Sequence, residues 1–125
     1  MNTAEIGEIL RTWAAAKPLV NRVWIFGSRA RGEERPDSDL DVAVELDMTA
    51  ADGVDESGGF ATWSFETTEW HAELSALLPF EIDLEQYREP DTPTIHQALA
   101  RSSKLVYAKA GPNNSSKPTP LRGAA

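Results

Sequence analysis

Gly27-Ser28, ten intervening residues and then Asp39-Leu40-Asp41 form the segment of this 125-residue chain whose residue types and spacing point to chemistry. Gly27 permits backbone conformations closed to other residues and takes a side chain out of the path of an approaching phosphate. Ser28 follows at what reads as a helix N-terminus, where free N–H groups and the helix dipole favour an anion. Asp39 and Asp41 are two apart, so on a strand they project together while Leu40, Val42 and Val44 turn to a core. Adjacent carboxylates repel each other unless a cation lies between them. Their hard oxygens suit Mg²⁺, which takes a few carboxylates and fills its shell with water and phosphate oxygens. Two such ions, roughly 3.5–4 Å apart, hold the attacking and leaving oxygens of an in-line phosphoryl displacement.

A third carboxylate from a neighbouring strand would complete the cluster. Asp83 is the natural candidate, in the alternating run Phe80-Glu81-Ile82-Asp83-Leu84-Glu85, as metal ligand or as base toward an attacking hydroxyl. Glu81 and Glu85 share its face, so either could stand in for it. Arg29 and Arg31 could touch phosphate or a partner, although an exposed arginine on a short helix is the more ordinary reading. Ser38 either caps a turn or hydrogen-bonds a ligand carboxylate. Gly27, Ser28, Arg29 and Ser38 are therefore the nucleotide-binding candidates, and Gly32 reads as the end of the short helix. His71 and His96 fall on helices away from the motif, and Trp13, Trp24, Trp63 and Trp70 read as packing residues.

The elements that must position these groups are legible from periodicity. Ile6, Ile9, Leu10 and Trp13 recur at helical spacing, predicting an amphipathic helix from Thr3 to Ala16, capped by Thr3 and ended by Pro18. Val20 to Phe26 reads as a strand, apolar on both faces from Val23 onward and so central in its sheet. A short helix from Ser28 to about Arg31, a polar turn from Glu33 to Asp37 and a strand from Ser38 to Leu46 follow. Asp47 to Gly59 reads as a loop, and Phe60 to Leu78 as a helix with Trp63, Trp70, Leu74, Leu77 and Leu78 near one stripe. Phe80 to Glu85 alternates as a strand with Ile82 and Leu84 buried. Thr92-Pro93 would open a helix carrying Ile95, Ala98 and Leu99, and Leu105 to Tyr107 a short final strand or edge. This alternation predicts a single α/β (α+β) domain over residues 1–110, a mixed sheet flanked by helices with the acidic site at its edge. The Ser/Pro-rich tail, residues 111–125, is expected to be disordered.

Composition narrows the function. Twenty acidic against twelve basic residues give a net charge of −8, and the tail contributes Lys117 and Arg122 but no acid. A body this acidic is poorly suited to neutralising nucleic-acid phosphates; a nucleotide carried with its metal, or a basic protein, fits better. The absence of cysteine excludes disulfides, thiolate catalysis and cysteine zinc sites. No apolar run reaches spanning length and the N-terminus lacks a signal-peptide plan, so the expectation is a cytoplasmic protein without membrane contact.

Phe26-Gly27-Ser28-Arg29-Ala30-Arg31-Gly32, Ser38-Asp39-Leu40-Asp41-Val42-Ala43-Val44 and Glu81-Ile82-Asp83-Leu84 together resemble the minimal nucleotidyltransferase family of the DNA polymerase β-like superfamily. The resemblance covers about residues 3 to 108. Members with this Gly-Ser to Asp-x-Asp spacing look like antitoxins of pairs whose toxin is a HEPN-domain ribonuclease. The resemblance implies the nucleotidyltransferase fold, with Gly27 and Ser28 on the nucleotide phosphates and Asp39, Asp41 and Asp83 holding two Mg²⁺ ions. It also implies ATP as substrate, AMP transfer to a toxin hydroxyl (a tyrosine), and a hetero-oligomer with that toxin. Two alternatives remain open: an antitoxin that neutralises by contact alone, and a transferase for small molecules of the aminoglycoside type.

Overall fold

Residues 1–33, 35, 38–48, 60–88, 95, 97, 100 and 103–109 are described by a computed structural model of the protein. Helix α1 spans Thr3–Ala15 and buries Ile6, Leu10, Trp13 and Ala14 along one stripe. Its cap is Asn2 rather than Thr3. The Asn2 backbone is extended, so its Oδ1 accepts the Glu5 N–H while the Glu5 carboxylate accepts the Asn2 N–H, both at 2.8 Å. This reciprocal pair satisfies two donors and makes Thr3 the first helical residue.

Strand β1 (Val20–Phe26) leads through α2 (Ser28–Arg31) to β2 (Leu40–Leu46). Helix α3 (Phe60–Leu77), β3 (Ile82–Gln86) and β4 (Ser103–Ala108) complete the described elements. The sheet order is β3-β2-β1-β4, so β1 lies inside the sheet, as its two-sided apolar sequence predicts. β1 is antiparallel to both β2 and β4, and β2 is parallel to β3. Parallel neighbours need a crossover, which α3 supplies.

β2 begins at Leu40, two residues later than expected. Ser38 is held in a turn instead: its N–H donates to the Arg35 carbonyl and its Oγ accepts the Arg35 N–H. β4 in turn is longer than expected.

Both long helices pack on one face of the sheet. Val20, Val23 and Ile25 of β1, Leu40, Val42 and Val44 of β2, and Ile82 of β3 meet α1 together with Trp70, Leu74 and Leu78. Trp70 receives Trp13 edge-on at 5.7 Å and Trp63 at 6.1 Å, and the Trp13 indole donates to Glu73 at 2.9 Å. Leu77 does not join the stripe: the helix ends there, leaving it 50% exposed, and Leu78 turns into the core. Leu84 is only half-buried because β3 is an edge strand. The opposite face carries a smaller cluster of Phe26, Ala43 and Tyr87, with Trp24 and Ile95 beside it.

The predicted loop beyond Met48, most of the predicted helix after Thr92, and the tail 111–125 lie outside the described residues. Among the described residues no helix is long and apolar enough to cross a membrane.

Candidate active site

Where β1 ends, Gly27 adopts φ 75° and ψ −153°, a backbone region essentially restricted to glycine. The carbonyl of Gly27 accepts the N–H groups of Ala30 and Arg31, which starts α2. Gly32 closes that helix in the left-handed conformation at φ 74° and ψ 22°, as the sequence suggests. The first N–H groups of a helix have no partner within it. A Cβ placed on Gly27 would overlap Asp41 Oδ2 and stand 3.0 Å from Asp41 Cγ. The missing side chain therefore admits the Asp41 carboxylate to the backbone of the turn. Amide donors and carboxylate oxygens come side by side, an arrangement suited to a phosphate carried with a cation.

Asp41 is the first outward-facing residue of β2, in register with Phe26 on β1 and with Asp83 on β3. Leu40, Val42 and Val44 are fully buried on the helix side, so alternation fixes Asp41 on the opposite face. Asp39 precedes the strand and is exposed, close enough for its charge to act on Asp41. Burial, then the charge of Asp83 and a hydrogen bond with it, raise Asp41 to about 6; Asp39 adds to this and Arg31 opposes it. Glu85, two residues beyond Asp83, is pushed up to about 7 by burial, by a hydrogen bond with Asp83 and by the charges of Asp83 and Asp41. The row Asp39, Asp41, Asp83, Glu85 thus holds more negative charge than its surroundings neutralise.

That surplus is what a divalent cation would relieve, and the donors are all hard carboxylate oxygens, so the residues fit magnesium. Among the described residues no three such side chains are grouped as a cage as they stand; Asp41 and Asp83 are hydrogen-bonded to each other instead. Glu81 lies just outside β3 and is exposed. Of the two glutamates on the Asp83 face, Glu85 is the one joined to the row. Alternation placed it on that face, but nothing in the sequence reveals the hydrogen bond.

Arg29 is not the exposed helical arginine that a four-residue helix suggests. It is 5% exposed, with its guanidinium 3.9 Å from the Phe80 ring centroid and Nη2 donating to the Ser38 carbonyl at 2.8 Å. Its Nε is buried without a partner, at a cost of about 1–3 kcal/mol. Arg31 is exposed and pairs with Glu33 at 2.7 Å. Ser38 forms the turn already described. His71 is half-buried with Nε2 3.0 Å from the Ile82 carbonyl; His96 lies outside the described residues.

Beyond Ala43 the same face continues with Trp24 and Tyr87, edge-to-face at 5.1 Å, and with Arg22 over Trp24 at 5.0 Å and doubly bonded to Glu45. A cleft of about 440 Å³ opens there, bordered by Asn21, Met48, Gln86 and Arg88.

Residues 8–111 match the family described as "Polymerase beta, Nucleotidyltransferase". The chain belongs to that family. A comparison with curated proteins found no match. Among solved structures, the fold is shared with a toxin–antitoxin in complex with AMP-PNP: TM-score 0.57, 24% identity, covering 87% of this chain and 75% of that one. A mutant of the MntA–HpeT toxin–antitoxin with two aspartates replaced by glutamate gives TM-score 0.57 and 21% identity, covering 93% of this chain and 80% of that one. These are similarities of fold.

Proposed function

We propose that the protein is a Mg²⁺-dependent nucleotidyltransferase that moves AMP from ATP to a tyrosine hydroxyl of a partner HEPN-type ribonuclease toxin, and so acts as its antitoxin. The observation that carries the reading is the row Asp41–Asp83–Glu85 abutting the Gly27 turn, in a chain of the polymerase β nucleotidyltransferase family. Two toxin–antitoxin assemblies with the same fold, one crystallised with AMP-PNP, support the partner and the nucleotide.

In this reading Gly27 and Ser28 receive the triphosphate, and Asp39, Asp41 and Asp83 hold the magnesium ions. When bound, magnesium supplies neutralising charge and a fixed orientation for the phosphates. The acceptor oxygen attacks the α-phosphorus, and the bond from that phosphorus to the oxygen bridging to the β-phosphate breaks. Pyrophosphate leaves with that oxygen. The hydroxyl proton passes to Glu85, which stands beside Asp83 outside the proposed ligand set and which burial first, then its hydrogen bond with Asp83, makes a stronger proton acceptor than a free glutamate. Positioning and charge neutralisation account for most of the rate of such transfers, so a small domain can house the machinery.

Co-expression with the operon neighbour and intact-mass analysis tests this. The neighbour should gain one or more AMP increments, and Asp39→Asn with Asp41→Asn should abolish them. An unmodified neighbour whose toxicity the double variant still suppresses would establish neutralisation by contact alone.

A further inference from the structure

Three segments bring the candidate groups together: α2 with Ser28 at its start, the turn before β2 that delivers Asp39, and the connection into β3 that delivers Asp83. Arg29 touches all three. It belongs to α2, donates to the Ser38 carbonyl one residue before Asp39, and lies over Phe80 three residues before Asp83. Its charge is not used on an acid, for it forms no ion pair among the described residues and does not act on Asp41, where Arg31 is the opposing cation. A cation kept buried with one hydrogen bond, one ring contact and an unpartnered Nε is a cost to the fold, so its value lies in what those two contacts hold in place. Lysine would not replace it, because a flat guanidinium can stack on a ring and donate in its own plane at once.

We propose that Arg29 is a positioning residue. It contacts neither metal nor nucleotide, and its guanidinium locks the Ser38 carbonyl and the Phe80 ring to α2, so that Asp39 and Asp83 approach the Gly27–Ser28 turn at a fixed separation. The inference rests on the metal-binding reading of the acidic row. It reassigns Arg29 from a phosphate contact to the support behind the ligands. Loss of such outer support lowers metal affinity by about 10- to 100-fold in metal sites generally.

The test is Mn²⁺ binding to the free protein, followed by electron paramagnetic resonance at a temperature well below unfolding. The set comprises wild type, Arg29→Lys, Phe80→Leu, Arg31→Lys and Leu74→Val. Arg29→Lys and Phe80→Leu should each weaken Mn²⁺ binding about tenfold or more. Arg31→Lys, at an exposed position, should change it by less than about threefold. Leu74→Val lowers stability from the helix-side core without removing either contact of the Arg29 guanidinium and should leave affinity unchanged, which separates positioning from general loosening. Hydrogen exchange at the Ser38 and Asp39 amides should accelerate in Arg29→Lys and not in Leu74→Val. Wild-type Mn²⁺ affinity in both Arg29→Lys and Phe80→Leu overturns the inference alone. A wild-type protein that takes up no Mn²⁺ overturns the metal reading and this inference with it.

Discussion

Replacing Gly27 by alanine places a methyl group where the Asp41 carboxylate now lies, and the cost can be worked from two separate contributions. The backbone there, φ 75° and ψ −153°, disfavours any side chain by about 1–3 kcal/mol. The new carbon would also overlap Asp41 Oδ2 and lie 3.0 Å from Cγ. Asp41 cannot withdraw along β2, because Leu40 and Val42 on either side are fully buried. Relief must come from turning the carboxylate out of its rotamer, about 0.5–1.5 kcal/mol, and away from Asp83. Together these give about 2–4 kcal/mol, or a fall in Tm of about 10–20 °C for a domain of this size.

Gly32 supplies the control. It has nearly the same φ, 74°, but no atom lies within 4 Å of its added Cβ. Gly32→Ala should cost about 1–2 kcal/mol from the left-handed backbone alone. Thermal melts with and without Mg²⁺ separate the two. At about ten times its Kd the cation stabilises wild type by about 1.4 kcal/mol. That gain should survive in Gly32→Ala and vanish in Gly27→Ala. In an Asp41→Ala background Gly27→Ala should lose only its backbone share, a coupling of about 1 kcal/mol. Equal losses at the two glycines, with an unchanged Mg²⁺ response at Gly27→Ala, would refute the close approach of Asp41 to the turn.

Asp41 and Glu85 bind protons more tightly folded than unfolded, so between about pH 4 and pH 7 the unfolded chain ionises first and metal-free stability declines as pH rises. The Asp41 share, discounted for its partial exposure, is about 1–2 kcal/mol; Asp41→Asn should remove it, and a Tm–pH slope equal to wild type would contradict the shift. Mg²⁺ should accordingly raise Tm more at pH 7.5 than at pH 5, and EDTA should abolish the difference. Asn2→Ala removes half of the α1 capping box and should cost about 1 kcal/mol without altering Mn²⁺ affinity, since α1 lies on the opposite face; urea unfolding measures the first and resonance the second.

The sequence displays α1 and α3 through apolar residues recurring at helical spacing, although Leu77 leaves the α3 stripe, β2 through alternation, and β1 through a run apolar on both faces. It also places Asp41 and Asp83 on strands. It misses the start of β2, because Ser38 has the residue type of either a strand or a turn, and only its bonds to Arg35 decide. It misses the burial of Arg29 for a different reason. A four-residue helix carries no face of its own, and the ring that covers the guanidinium comes from Phe80, far along the chain. The Asp83–Glu85 hydrogen bond is likewise a matter of side-chain reach that alternation alone does not encode.

The position of the acids follows from what the helices require. α1 and α3 claim one sheet face for aliphatic and indole packing, and carboxylates under them would be desolvated without partners. On the other face, among the described residues, the apolar cluster is Phe26, Ala43 and Tyr87 with Trp24 and Ile95 beside it, and the acids sit next to it, Asp41 and Glu85 half-buried and Asp39 and Asp83 exposed, open to a cation. Within this face β2 and β3 are locked in register by Leu40 against Ile82 on the helix side. A slip of one residue in β3 would expose Ile82, now 4% exposed, and drive Asp83 beneath the helices. The burial of Ile82 therefore keeps Asp83 beside Asp41, and the hydrophobic core and the acidic row are set by one alternation.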